Sequence, residues 1–296
     1  MAYIQTPRLH CDTKSLRLLI ETEDPVYYGL KKLKIRGRDL NLLPKSIFNL
    51  LELEVLELSP EREACLDFKL PELPPAIGKL INLKVLILDT NEMRTIAPEI
   101  TLLVSLERLA LSNNHLSSLP NGFKNLKNLR SLHLSNNEFE EFPQELHELE
   151  NLEFLDMCDN RMTTLPGQIS KMKNLHTLLL CFNRLTKLPD SLCKMTELRC
   201  LWLGNNLLQT LPKNFGQLKN IDWDWRYISS LLEGNPLTRP PIEVCRQGMN
   251  AIDRYLNGDK GNLTTHGGLG GRVVKVVRLL LITWSVRQGV LDSNLN

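Results

Sequence analysis

The strongest constraint on this chain of 296 residues is a repeat with a period of 23 residues. A leucine, an asparagine and a Leu-Pro pair (Phe-Pro in one case) each recur at this step. Self-similarity at a fixed period of this length is typical of solenoids, in which neighbouring units stack to bury a shared core. The recurring asparagines are Asn91, Asn114, Asn137, Asn160, Asn183 and Asn206.

One unit reads LxxLxLxxNxLxxLPxxIxxLxN, as in residues 106–128. Leucines two positions apart point to the same side of a strand, so each LxL segment predicts a short strand, and successive turns predict parallel strands about 4.8 Å apart. The asparagines, which both donate and accept hydrogen bonds, can satisfy backbone groups at the turns and form a structural ladder. The prolines favour extended or loosely helical return arms. The pattern predicts an α/β solenoid with parallel β-strands on its concave face and irregular or short helical arms on its convex face.

This pattern resembles the short, 23-residue class of intracellular leucine-rich repeat proteins, which includes Ras suppressor proteins, scribble-like scaffolds and plant intracellular Ras-group repeat proteins. The resemblance covers about residues 30–256, and the segment from Gly234 to Leu256 is similar to the terminal turn and capping helix of that group. It implies a leucine-rich repeat horseshoe that binds proteins as a scaffold, adaptor or regulator, often in small-GTPase-linked signalling. It does not identify a partner.

The repeat also predicts the organisation of the chain. Residues 1–29 are expected to form an N-terminal cap, and residues 30–249 about nine turns, which begin at Leu30, Leu53, Leu83, Leu106, Leu129, Leu152, Leu175, Leu198 and near Ile221. Two insertions break the period, near 59–70 and 221–230. Residues 250–256 are predicted to end a C-terminal capping helix. Residues 257–296 read as a glycine-rich linker with an apolar, basic tail that is expected to be poorly ordered.

Charge and cysteine usage narrow the classes of partner and compartment. The net charge of +2 gives no case for nucleic-acid binding. The apolar run Val273–Trp284 has 12 residues, too few to span a bilayer, so stable membrane insertion is not expected. The seven cysteines contain no CxxC pair, and the N-terminus lacks the uninterrupted apolar segment of a secretory signal. These features predict a cytoplasmic, reducing environment, and the sequence leaves the oligomeric state unknown.

The sequence predicts no catalytic residues, no cofactor and no metal site. The phosphate-binding GxxxxGK[ST] motif, HExxH and GxSxG are all absent. The chain is therefore expected not to be an enzyme. Two alternatives to a scaffold remain open: a non-catalytic targeting or regulatory subunit of a phosphatase or ubiquitin ligase and, less favoured, an enzyme with an unrecognised site.

Positions 3, 5 and 7 of each unit alternate with the buried leucines and should face the concave side. Turns four and five are polar there and are expected to set the register of a partner, whereas turns six to eight combine aromatic and aliphatic residues typical of binding hot spots. The alternative is that Trp223 and Trp225 of the second insertion fold over these residues. The predicted protein-binding residues, called here the C-terminal concave patch, are Phe154, Asp156, Cys158, Leu179, Cys181, Phe182, Cys200 and Trp202.

A secondary basic patch is predicted at the first turn, formed by Lys32, Lys34 and Arg36. Two interpretations are equally favoured. The patch could attract an acidic partner, or it could pair with the acidic stretch Glu21–Asp24 of the same chain.

Cys158 and Cys181 are 23 residues apart and occupy the same position of adjacent turns. Their Cα atoms should therefore lie near 5 Å apart, within the range of a disulfide. A redox switch or a soft-metal site is conceivable, but two reduced thiols on a packed surface are the expectation.

Overall fold

The computed structural model describes residues 12–35, 43–60, 69–223 and 231–258. Eight parallel strands form one sheet in chain order, and each strand pairs with the next at equivalent positions of the repeat. In chain order, the strands β1 to β8 are Lys32–Lys34, Val55–Glu57, Val85–Ile87, Arg108–Ala110, Ser131–His133, Phe154–Asp156, Thr177–Leu179 and Cys200–Trp202.

Short 3-10 helices form the return arms on the opposite side of the solenoid. Most of them begin directly after a proline in extended conformation, such as Pro120 or Pro143, because proline fixes φ and cannot donate a backbone hydrogen bond. The 3-10 helices in the described residues are Lys45–Asn49, Pro75–Lys79, Pro98–Leu102, Asn121–Asn125, Gln144–Glu148, Gly167–Lys171, Asp190–Lys194 and Phe215–Gln217.

The leucines of the repeat fill one continuous core between the sheet and the arms. The central strand residues Leu109, Leu132, Leu155 and Leu178 are fully buried, as are the arm residues at the isoleucine position, such as Ile169. A single turn cannot bury its own leucines, so the stack is stabilised by contacts between neighbouring turns. The predicted solenoid, with strands on one face and short helical arms on the other, is confirmed.

The recurring asparagines lie buried at the ends of the strands, and each joins its own turn to the preceding one. The Nδ2 group of Asn137 donates to the carbonyl oxygens of Leu111 (2.9 Å) and Leu134 (3.1 Å), and its Oδ1 atom accepts from the backbone N–H of Leu116 at 2.9 Å. Asn183 makes equivalent contacts two turns later. After the second insertion Asn235 takes the same role, donating to Leu203.

The two ends of the core are covered by short α-helices. The helix Thr13–Arg17 begins where the side chain of Asp12 accepts from the N–H of Ser15, and it buries Leu16 against the first turn. At the other end the helices Ile242–Cys245 and Met249–Asn257 bury Ile252 and Leu256. Among the described residues, no helix is long and apolar enough to cross a bilayer.

Several predictions concern residues outside the described ranges. These are Arg36, most of the first insertion (61–68), Trp225 with residues 224–230 of the second insertion, and the tail from residue 259 onward.

Candidate functional site

Strands β6, β7 and β8 bring the residues of the C-terminal concave patch side by side. Phe154 pairs with Thr177, and Thr177 with Cys200; Asp156 pairs with Leu179, and Leu179 with Trp202. Phe154, Asp156, Leu179, Cys200 and Trp202 are each half-buried, so one edge or tip of every side chain remains accessible.

Cys158 and Cys181 follow β6 and β7 at equivalent positions, and the structure joins their sulfur atoms in a disulfide. The expectation of two free thiols is therefore wrong for this structure. The physical reason is the register of the parallel strands, which places the two Cα atoms 4.7 Å apart with both side chains on the concave side. Cys158 is half-buried, whereas only 7% of Cys181 is exposed.

Phe182, the residue after Cys181, has a backbone conformation that aromatic residues rarely adopt. Its φ angle is +55°, in the left-handed region, and 58% of its surface is exposed. Asparagine and aspartate tolerate this region, whereas a bulky residue there is an outlier. The other turns place small polar residues at this position: Thr90, Asn113, Asn136, Asp159 and Asn205, all with positive φ.

Sequence reasoning included Phe182 because it follows Cys181, but it did not predict the left-handed backbone. The signal was present in the repeat, because the residue before each ladder asparagine is mostly Asn or Asp, which favour this conformation. The sequence also did not predict that the ring of Phe154 contacts His133 of turn five, with ring centroids 4.7 Å apart.

Turns four and five present polar groups that bond to each other. The hydroxyl of Ser135 donates to that of Ser112 at 3.0 Å, and the side chain of Asn136 donates to Asn113 at 2.8 Å. Within β5, Ser131 Oγ and His133 Nε2 lie 3.0 Å apart. These hydrogen bonds make this part of the concave face, next to the patch, polar, although Ser112 itself is buried.

Trp223 turns away from the patch and toward the C-terminal helices. Its indole Nε1–H donates to the carbonyl oxygen of Cys245 at 2.9 Å, and the ring contacts the hydrophobic core. These contacts place Trp223 against the C-terminal helices, which argues against the alternative that it folds over the patch. Trp225 lies outside the described residues.

The basic patch of the first turn is engaged within the chain. Lys32 is buried beside Asp24 and Glu21 of the N-terminal segment, and its Nζ atom lies 3.3 Å from Glu57, which also pairs with Lys34 at 2.8 Å. Burial lowers the pKa of Lys32, but hydrogen bonds and charge from Asp24 and Glu57 outweigh it and leave the pKa raised. The contacts of Lys32 therefore follow the second of the two interpretations, pairing with the acidic stretch.

The free cysteines of the described residues are poor nucleophiles. Burial raises the pKa of Cys193 to about 11 and that of Cys200 and Cys245 to about 12. In the described residues, no three His, Cys, Asp or Glu side chains are grouped so that they could hold a metal ion.

Two family models match the chain, both inside the repeats. Residues 104–162 match a model described as "Leucine rich repeat", and residues 173–220 match one described as "Leucine Rich repeats (2 copies)". Comparison with the curated proteins gives no match.

Solved structures similar to this chain come from bacteria and plants. A leucine-rich repeat protein of Leptospira interrogans has 32% identity and a TM-score of 0.54 over 69% of this chain. The ectodomain of the Arabidopsis thaliana receptor kinase GASSHO1/SCHENGEN3, solved with Casparian strip integrity factor 2, has 28% identity and a TM-score of 0.55 over 70%. The plant peptide hormone receptor RGFR1, solved with RGF2, has 27% identity and a TM-score of 0.57 over 74%. The matches span 54%, 23% and 34% of those chains, so this chain corresponds to about half or less of each.

Proposed function

We propose that this chain, which has the fold of a leucine-rich repeat solenoid, binds a protein partner through the C-terminal concave patch. In this proposal, Phe182 and Trp202 supply most of the binding energy. Phe154 and Leu179 complete the apolar surface, and the polar groups of turns four and five fix the register of the partner.

The observation that carries the proposal is the conformation of Phe182. An asparagine at this position would satisfy the left-handed backbone, as it does in Asn136 and Asn205. The chain instead exposes an aromatic ring there, at a cost in backbone free energy and in hydration of apolar surface. Residues held in sparsely populated backbone conformations cluster at binding and active sites, and exposed aromatic residues are enriched among binding hot spots.

Similar structures support a polypeptide as the partner. GASSHO1/SCHENGEN3 was solved with Casparian strip integrity factor 2, and RGFR1 with RGF2. The fold of this chain is similar to theirs, and its eight-stranded parallel sheet lies on one face of the solenoid. We therefore propose a protein or a peptide segment as the ligand, rather than a small molecule.

We further propose that the protein acts as a scaffold or adaptor with no catalytic role of its own, in small-GTPase-linked signalling in the cytoplasm. This part rests on the 23-residue repeat class and on the cysteine usage of the sequence. Capture of GTP- and GDP-loaded small GTPases by the purified chain, together with fractionation of cells that express it, tests both points. Exclusive recovery in the secretory pathway would contradict the cytoplasmic location.

The test of the binding site is a comparison of two double variants in affinity capture with quantitative mass spectrometry. Phe182→Ala/Trp202→Ala should lose the partners that the wild type retains, because both rings leave the patch. The matched control is Leu51→Ala/Ile81→Ala, which removes two half-exposed aliphatic side chains outside the concave strands and should retain them. Equal recovery of all partners by the patch variant and the wild type would contradict the proposal.

A further inference from the structure

The disulfide between Cys158 and Cys181 lies inside the C-terminal concave patch and crosses between adjacent strands. The two Cα atoms are 4.7 Å apart. Cys158 is partly exposed and Cys181 is nearly covered, so the side of Cys158 is the one from which a small thiol approaches the bond. The bond is thus placed at a surface, unlike the buried thiols of Cys193 and Cys245.

The solenoid itself does not require this bond. The backbone already joins the two turns on both sides of it, because Met157 N–H donates to Leu179 and Asp159 N–H donates to Cys181, both at 2.9 Å. One pair of turns earlier, the same two positions are filled by Ser112 and Ser135. A serine pair is therefore compatible with this geometry, so the two cysteines are not needed for the fold and their role is sought in their chemistry.

We propose that Cys158 and Cys181 form a reversible thiol–disulfide latch, whose state is set by low-molecular-weight thiols and disulfides such as those of glutathione. In the reducing direction, a thiolate attacks the sulfur of Cys158, the bond between the two cysteine sulfurs breaks, and Cys181 leaves as a thiolate that takes up a proton. A second thiolate attacks the mixed disulfide and releases Cys158, which also takes up a proton, together with a low-molecular-weight disulfide. Two electrons pass to the protein, and oxidation is the reverse exchange.

The latch is specific to this pair among the described cysteines. Thiol exchange requires a thiolate that can reach its target. Burial keeps Cys193, Cys200 and Cys245 protonated, with a pKa of about 11 for Cys193 and about 12 for the other two. These three cysteines should remain thiols while the pair changes state.

The latch regulates the patch because Cys181, one of its two cysteines, directly precedes Phe182. This regulatory role rests on the proposed function. While the disulfide is closed, it fixes Cys181 and the backbone that holds Phe182 in its left-handed conformation. Reduction releases this segment, so binding must order it again. The oxidised form should therefore bind the partner about three- to tenfold more tightly, which is the range for ordering one side chain.

The first experiment measures the state of the pair in the full chain without any partner. The protein is equilibrated in glutathione buffers of increasing oxidised fraction, quenched in acid, denatured and labelled at its thiols, and the label on each cysteine is measured by mass spectrometry. Cys158 and Cys181 should lose their label together, whereas Cys193 and Cys245 should remain labelled throughout. A pair that stays labelled, or stays unlabelled, across the whole series would overturn the latch.

The second experiment measures its effect on the patch by hydrogen exchange, again without a partner. In the reduced protein and in Cys158→Ser/Cys181→Ser, the amide of Phe182 should exchange about tenfold faster than in the oxidised protein, because local opening becomes easier. Residues 131–138 of turn five are the internal reference and should not change. Equal exchange in both states would overturn the coupling to Phe182.

Partner capture by the oxidised and reduced protein then separates this inference from the proposed function. Equal binding in both states would overturn the regulation and leave the binding site intact. Equal recovery of partners by Phe182→Ala/Trp202→Ala and the wild type would contradict the binding site and leave the two partner-free measurements unaffected. Leu51→Ala/Ile81→Ala, a change outside the concave strands, should retain the redox response of the wild type. The Cys158→Ser/Cys181→Ser variant should lose it.

Discussion

Turns four and five and turns six and seven have the same scaffold but present different surfaces. After the strands of turns four and five, Ser112 bonds to Ser135 and Asn113 bonds to Asn136. At the same positions of turns six and seven, the chain has the disulfide of Cys158 and Cys181, and Asp159 followed one turn later by Phe182.

The comparison separates what the solenoid needs from what this chain adds. Turns four and five show that small polar side chains complete the two positions after each strand with hydrogen bonds between neighbouring turns. Turns six and seven replace those bonds with a covalent link and an exposed ring in a costly conformation. Since the buried ladder is the same in both regions, the difference lies on the surface, where the proposed binding site is located.

The largest expected effect tests whether the two regions share the same scaffold. Asn137→Ala and Asn183→Ala each remove a buried side chain that satisfies one N–H and two carbonyl groups, and each should lower the free energy of unfolding by about 4 kcal/mol. Urea unfolding followed by circular dichroism measures both. If the losses of unfolding free energy in the two variants differ by more than about half of this value, the two regions are not built alike.

The second prediction concerns the covalent link. Reduction, or Cys158→Ser/Cys181→Ser, should lower the free energy of unfolding by about 3 kcal/mol, the loop-closure value for a separation of 23 residues. Ser112→Ala/Ser135→Ala is the matched change in turns four and five and should cost about 1 kcal/mol, because it removes one hydrogen bond. Denaturation with and without a reductant checks both, and a wild type indifferent to the reductant would mean that the pair is not closed in solution.

The third prediction exchanges the residues at the left-handed position. Phe182→Asn should raise the free energy of unfolding by about 1 kcal/mol, because asparagine suits this backbone, and Asn136→Phe should lower it by a similar amount. The first variant should also weaken partner binding by about 30-fold, the effect of removing a hot spot. Stability and affinity would then change in opposite directions in a single variant. A Phe182→Asn protein that is less stable than the wild type would show that the ring contributes to folding.

The fold could be predicted almost completely from the sequence, because a solenoid needs only local spacing to specify its strands, core and ladder. The phase of Leu106, Leu129 and Leu152 already fixes which side chains enter the core. The insertions were visible as breaks in the period, but their internal conformation depends on contacts that no repeat specifies.

The site could be predicted only in part. The spacing placed Cys158 beside Cys181, but the choice between thiols and a disulfide depends on side-chain direction and on the redox environment, neither of which the spacing contains. The left-handed backbone at Phe182 was indicated only indirectly, by asparagine or aspartate at the equivalent position of most other turns. The pairing of Lys32 with Asp24 required the path of the N-terminal segment, so the sequence could only offer it as one of two interpretations.

The last and smallest prediction places acid sensitivity at the other end of the concave face, away from the C-terminal concave patch. Burial raises the pKa of Asp24, but the hydrogen bond from Lys32 and the backbone N–H groups of Val26 and Tyr27 outweigh it and leave the pKa below its usual value of 3.8. A carboxyl group whose pKa is lowered on folding stabilises the protein fully above its unfolded pKa, and this contribution is lost as the pH falls through the folded value. The difference in unfolding free energy between wild type and Asp24→Asn should therefore be constant from pH 7 to 5, below about 1 kcal/mol because desolvation of the pair offsets most of its attraction, and should shrink below pH 3.8. Denaturant titrations of both proteins across this range measure it; a difference that persists at pH 3 would show that the amide disrupts packing rather than charge pairing.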